Sequence, residues 1–152
     1  MTKKNKKQNI NIYSKREFIT NEKEKIFVDD IKQNFLNNKP SWRFTYSDLT
    51  SEYSILDCKN SLFTKLKNFE SMTFKEIFID GYHFHHKISN LDKMLKFVKE
   101  RLKQLGLNEN LEIYSLRLDS TTRIYGFIES NIFYILWYDP KHELYPVAKK
   151  HT

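Results

Sequence analysis

The segment Ile132-Phe133-Tyr134-Ile135-Leu136-Trp137-Tyr138 constrains the fold more than any other stretch of the chain. Every side chain in it is aliphatic or aromatic, so neither face of an extended strand here can be given to water. Such a strand belongs in the middle of a covered sheet, with helices packed on at least one side. Asp139-Pro140 ends it, because proline cannot donate to a ladder. Alternation and turn residues upstream mark two more strands, Glu112–Leu118 and Arg123–Glu129. Tight turns at Asp119-Ser120-Thr121 and Ser130-Asn131 join them into an antiparallel meander. Trp42-Arg43-Phe44-Thr45-Tyr46 alternates aromatics with polar residues, which predicts a fourth strand over Trp42–Tyr46.

Between these strands the apolar period lengthens to that of helices. Leu62, Leu66 and Phe69 form one stripe, and Leu91, Met94, Leu95, Val98, Leu102 and Leu105 form a longer one over Asn90 to Leu105. Ser89 or Asn90 suits the start of that second helix, and Gly106 suits the left-handed residue beyond its end. Thr73 and Glu76 have the spacing of a capping box, which opens a short helix bearing Phe74, Ile77 and Phe78. Farther upstream, Phe27, Ile31 and Phe35 keep helical spacing until Asn37-Asn38-Lys39-Pro40 breaks it.

These readings predict an α+β fold: a small antiparallel sheet of about four strands with helices packed on one face. The expected organisation is a basic tail over 1–20, an N-terminal helical appendage over 21–39 and a single domain over 40–152. A chain of 152 residues suits one ordinary core, and an aromatic content of 15% argues that most of it folds. The single cysteine, Cys58, excludes an internal disulfide and a cysteine-rich zinc site. No apolar run approaches the roughly 18 residues of a membrane span, so the expectation is a cytoplasmic protein without a membrane partner.

The formal charge of +7 is concentrated at one end. Residues 1–16 carry six basic side chains and no acidic one, which leaves 20 basic and 19 acidic residues for the rest. The body is therefore close to neutral, and the tail is the part that offers phosphates sequence-independent attraction.

Three clusters carry candidate chemistry. Arg117 and Arg123 flank the first meander turn. A three-residue turn centred on Ser120 places them opposite each other on one face, whereas a two-residue turn would separate them. Like charges directly opposite repel, so a same-face pair needs an anion or an acidic partner, for which Glu112 and Glu129 are available. The second cluster, Asp139-Pro140-Lys141-His142-Glu143-Leu144-Tyr145, follows the buried strand. Histidine there can move a proton near neutral pH, and tyrosine can donate a hydrogen bond or stack on a base. The alternative is that His142 and Tyr145 only tie the chain end to the sheet. The third cluster is His83-Phe84-His85-His86-Lys87. His83 and His85 share one side of an extended segment, but only Asp80 is near enough in sequence to complete a metal site, so a phosphate lining or ordinary hydrogen bonding is the reading.

Leu116-Arg117-Leu118, Arg123-Ile124-Tyr125-Gly126-Phe127 and the apolar strand leading to His142 and Tyr145 together resemble the C-terminal meander of the RelE/ParE superfamily of bacterial toxins. The likeness covers about residues 111–145 and is looser over 59–110. It implies a helical hairpin packed on a small antiparallel sheet. It also implies a metal-independent, ribosome-dependent endoribonuclease acting on mRNA, without cofactor and neutralised by an antitoxin protein. On that resemblance Arg117 and Arg123 hold the scissile phosphate, His142 transfers a proton and Tyr145 stacks on or orients the nucleotide. Lys87, His85, His86 and Lys141 are the substrate-binding candidates. The rival from another class is a non-catalytic module, such as a ParE-like inhibitor or a mobile-element accessory protein, that binds nucleic acid or protein through the same face. A metal-dependent hydrolase using His83, His85 and His86 is the third.

Overall fold

The computed structural model describes residues 35–81, 84–88 and 90–146. The expected basic tail, most of the N-terminal appendage and His83 lie outside them. The fold is α+β. Its centre is a five-stranded sheet in the order β1-β5-β4-β3-β2, with β1 Ser41–Arg43, β2 His85–Ile88, β3 Ile113–Arg117, β4 Arg123–Glu129 and β5 Ile132–Asp139. The meander β3-β4-β5 is antiparallel, as expected from its turns. β1 adds to β5 in parallel, and β2 adds antiparallel to β3.

Three features depart from the expected architecture, the first being that the parallel pairing of β1 makes the sheet mixed instead of antiparallel. The sheet has a fifth strand, since His85–Ile88 pairs with β3 as an edge strand. Helices also cover both faces instead of one. On the first face, helix α1 (Ser61–Glu70) buries Leu62, Leu66 and Phe69 against Leu116, Ile124, Phe133 and Ile135. On the second, helix α2 (Phe97–Gln104) buries Val98 and Leu102 against Ile113, Tyr125, Leu136 and Trp137. β2 lies between α1 and α2 in sequence and the two pack on opposite faces, so among the described residues these two helices do not form the hairpin that the RelE/ParE resemblance implies. The apolar character of β5 on both faces is the sequence counterpart of this double cover.

Local signals set the element ends. The capping box forms as read: Thr73 N donates to Glu76 Oε2 at 2.7 Å, and Glu76 N donates to Thr73 Oγ1 at 3.2 Å. The turn it opens continues as a π-helix over Glu76–Asp80. Gly106 takes φ +74° beyond α2, the left-handed residue expected there. The long stripe from Asn90 to Leu105 is not one helix. Asn90 caps a 3-10 turn at Leu91–Lys93, and α2 begins only at Phe97. The interruption has a tertiary cause, because Leu95 N donates at 3.0 Å to the carbonyl of Leu144 and leaves the helical ladder.

Pairing between β4 and β5 slips at Tyr125/Gly126, where Leu136 is the extra residue. Gly126 is required at this bulge. A Cβ there would strike the Tyr134 carbonyl oxygen and come within 2.5 Å of the Phe133 ring. Gly126→Ala is expected to cost about 3 kcal/mol through overpacking against backbone that cannot move aside. Chemical denaturation checks this, and a midpoint equal to wild type would show that the bulge absorbs the methyl group.

Candidate functional site

The three-residue turn places Arg117 opposite Arg123 across the β3–β4 ladder. Asp119 builds the turn. Its carboxylate accepts from Thr121 N at 2.9 Å and Thr122 N at 2.7 Å, and Leu118 N donates to Thr122 O at 3.0 Å. The Thr122 and Thr121 amides hold the Asp119 carboxyl down at about 2. This bonding is therefore complete above the ordinary carboxylate pKa and is lost as the pH falls towards 2.

The two guanidinium groups meet at one neutral oxygen. Arg117 Nε donates to the Asp119 carbonyl at 3.2 Å, and Arg123 Nη1 donates to the same atom at 2.8 Å and to Thr122 O at 3.0 Å. Among the described residues no carboxylate forms an ion pair with either arginine. The acidic partners expected from the sequence are not used. Glu112 binds Lys87 Nζ at 2.7 Å, and Glu129 stands exposed at the far end of β4. Burial lowers the pKa of Arg123, and the neighbouring Arg117 lowers it further. Arg123 nevertheless stays charged at neutral pH.

Asp139 stands opposite Arg123 in the β4–β5 register but is turned to another task. Its fully buried carboxylate accepts from Leu144 N at 2.8 Å, Glu143 N at 3.1 Å and Lys141 N at 3.3 Å. These bonds fold the segment after β5 back over the strand end. They also carry His142 into the left-handed region at φ +57°. A non-glycine residue held there is strained by about 1 kcal/mol or more and persists only because its surroundings fix it. Burial pushes the His142 imidazole below its ordinary pKa, Arg123 adds to the effect, and Arg117 and His86 contribute less. Asp139 opposes the shift.

His86 pairs with Ser115 of β3, on the face of Tyr125 and Trp137, and its ring centroid lies 5.5 Å from that of Tyr145. Tyr145 is only 9% exposed. It therefore supports the site against His86, and stacking on a nucleotide is not open to its buried ring. Lys141 is exposed in the loop that Asp139 organises.

The structure thus brings Arg117, Arg123, His142, His86 and Tyr145 to one end of the second face. It does not bring His85 or Lys87 there. His85 packs on Phe78, 4.8 Å between centroids, with Nδ1 3.2 Å from the Ile77 carbonyl. Lys87 is held by Glu112 beside the Tyr114 ring. Both occupy the first face because β2 alternates, a consequence hidden until that strand and its register were known. Asp139 is the organising residue that sequence reasoning missed. Its only signal was its position directly after the buried strand. Among the described residues no three His, Cys, Asp or Glu side chains converge as a metal ligand set, and no helix is long and apolar enough to cross a membrane.

A cleft of about 390 Å³ opens beside the arginine pair, lined by Lys65, Asn68, Phe69, Met72, Phe84, Arg117, Leu118 and Asp119. No protein-family model, curated protein or solved structure matches the chain.

Proposed function

We propose that the protein grips an RNA phosphate between Arg117 and Arg123 and cleaves the chain without a metal ion, as a toxin of the RelE kind. One observation carries the reading. Two guanidinium groups face each other across neighbouring strands, share a neutral carbonyl and have no carboxylate between them among the described residues. That arrangement is unfavourable until an anion enters it, and a phosphodiester is the anion that two planar donor forks fit. Among the described residues α1 and α2 do not form the helical hairpin of the resemblance, so the reading rests on this site and not on the fold.

His142 supplies the proton chemistry. Its depressed pKa keeps the imidazole neutral at physiological pH, ready to take the proton of a ribose 2′-hydroxyl. The 2′-oxygen then bonds to phosphorus and the bond to the 5′-oxygen breaks. The leaving oxygen takes a proton from His86, the other imidazole on this face. The products are a 2′,3′-cyclic phosphate and a 5′-hydroxyl. The arginines hold the charge that grows on the phosphorane-like transition state. Such an activity would need an antitoxin partner.

The base must be deprotonated, so its folded pKa sets the acid limb of the rate. The kcat/KM profile is expected to hold as pH falls past 6.5 and to drop only below it. An acid limb at or above 6.5 would remove His142 from the role of base.

Tightly controlled expression in a bacterial host, with RNA 5′ ends mapped, tests the reading against an Arg123→Ala/His142→Ala variant. Growth arrest with new codon-positioned cuts, lost in a variant that still folds, is the expected result. Soluble wild type with unchanged growth and RNA would sink it in favour of a non-catalytic binding module on the same face. The balance of 20 basic and 19 acidic residues over 17–152 is the observation that favours this rival.

A further inference from the structure

We infer that the cleft beside Arg117 is a base-binding subsite, which takes one unstacked nucleobase of a single-stranded RNA whose neighbouring phosphate lies on the arginine pair. The inference rests on the RNA reading above and adds where the chain runs and which strand state is bound.

The cleft is built from three segments that converge at the turn end of the sheet. α1 and its following turn supply Lys65, Asn68, Phe69 and Met72. Phe84 precedes β2, and Arg117, Leu118 and Asp119 leave β3. Its volume of about 390 Å³ is at the lower end of the roughly 300–1,000 Å³ typical of small-molecule sites. That suits one nucleotide unit and not a duplex.

Its walls are apolar and aromatic. Phe69 and Phe84 meet edge to face, with centroids 5.8 Å apart at 83°. Phe84 remains 39% exposed, although aromatic rings are ordinarily buried. Its position is fixed by backbone on both sides: Phe84 N donates to Gly81 O at 2.8 Å, and Arg117 N donates to Phe84 O at 2.7 Å. Gly81 makes room for the ring, since a Cβ there would run into it. A half-exposed ring on a fixed backbone is a stacking platform that needs no ordering when a base arrives.

The rim is cationic. Lys65 is exposed on one side, and Arg117 closes the other while also belonging to the arginine pair. The one carboxylate in the lining, on Asp119, is turned to the Thr121 and Thr122 amides. Asn68 brings an amide that can both donate to and accept from a base edge. An aromatic floor with two rim cations, one shared with a phosphate grip, matches the chemistry of a base and its flanking phosphate. A duplex keeps its bases stacked and paired, so it cannot use this cleft.

The test uses the full chain and a 2′-O-methylated, fluorescently labelled single strand, which cannot be cleaved. Anisotropy gives the affinity of wild type, Phe84→Ala, Lys65→Glu and Arg123→Gln, with thermal melting to confirm folding. Lys65 is exposed, so its variant retains the fold even if Phe84→Ala does not. Loss of the stacking ring is expected to weaken binding roughly 5- to 150-fold. Lys65→Glu is expected to weaken binding as well. An abasic unit scanned along the strand should weaken wild type at one position and leave Phe84→Ala unaffected there. Binding lost in Arg123→Gln but unchanged in Phe84→Ala and Lys65→Glu would overturn the subsite and leave the phosphate grip standing. Equal affinity for a duplex of the same sequence would overturn it too. Failure of wild type to bind the strand at all would remove the subsite and the RNA reading together.

Discussion

Replacing Arg117 and Arg123 together with glutamine is expected to abolish RNA cleavage without lowering the melting temperature. In the proposed reaction each guanidinium holds charge that develops on the phosphate, and the loss of one such donor costs about 10²- to 10³-fold in rate. Losing both should leave no measurable cutting. Stability should respond differently. The arginines face each other with no carboxylate partner among the described residues, and opposed like charges cost up to about 1 kcal/mol. Their hydrogen bonds to Asp119 O and Thr122 O are lost or replaced by the glutamine amides, which offsets part of that gain. The expected melting temperature is therefore equal to wild type or a few degrees higher. Two strand arginines kept only for structure would behave in the opposite way. A clear drop in melting temperature, with cleavage following the folded fraction, would contradict the functional assignment.

The largest stability effect belongs to a residue far from the site. Asp48 is wholly buried. Its carboxylate accepts from Arg101 Nη2 at 2.9 Å, Trp137 Nε1 at 3.2 Å, Thr50 N at 3.0 Å and Ser51 N at 3.2 Å. One side chain thus ties the loop after β1 to α2 and to the interior strand β5. Burial alone would raise its pKa, but the Thr50, Ser51 and Arg101 hydrogen bonds overcome that and hold the group well below the ordinary carboxylate range.

Asp48→Ala leaves the Arg101 guanidinium and the Trp137 indole N–H without this partner. A loss of about 3–5 kcal/mol is expected, enough to unfold a marginal domain. Because the folded pKa is depressed, the stabilisation is fully present above the unfolded value near 4 and is lost as the pH falls below it. Urea titrations at pH 7 and pH 3 check both statements. Wild type and Asp48→Ala should differ strongly at pH 7 and converge on acidification. A difference independent of pH would mean that packing, and not the ionised carboxylate, holds this junction.

The parts of the fold that the sequence reveals are those written in near neighbours. The meander follows from alternation and turn residues, and its three-residue turn was enough to set Arg117 against Arg123. The capping box at Thr73 and the left-handed Gly106 are equally local. What stayed hidden depends on partners distant in sequence. β2 reads His-His-Lys-Ile, with too few β-branched or aromatic residues to announce a strand, and it exists because β3 offers it an edge. β1 ends at Arg43 although the aromatic alternation continues to Tyr46. Beyond it the chain leaves the ladder, and Ser47 Oγ and Asp48 N bond instead to the carbonyls of Ile135 and Leu136.

The site divides along the same line. Arg117, Arg123, His142 and Tyr145 were legible because they flank strand ends, where a fixed scaffold meets loops. The carboxylates were not. Asp139 serves backbone amides and Glu112 serves Lys87, so neither forms an ion pair with the arginines, and Asp119 and Asp139 act on Arg123 only at longer range. Which acid pairs with which base is decided by three-dimensional proximity, and counting residues along a strand does not reveal it. Asp48 shows the same blindness, since its partners Arg101 and Trp137 lie 53 and 89 residues away.

The salt dependence of binding to an uncleavable single-stranded RNA tests the central claim most directly. Plotted as log affinity against log salt, a single strand loses about 0.7 in slope for each phosphate contact removed. Because the pair holds one phosphate, Arg117→Gln/Arg123→Gln should bind more weakly than wild type, with a slope shallower by about 0.7. A folded double variant that keeps both the wild-type affinity and the wild-type slope would show that the arginine pair does not hold the phosphate.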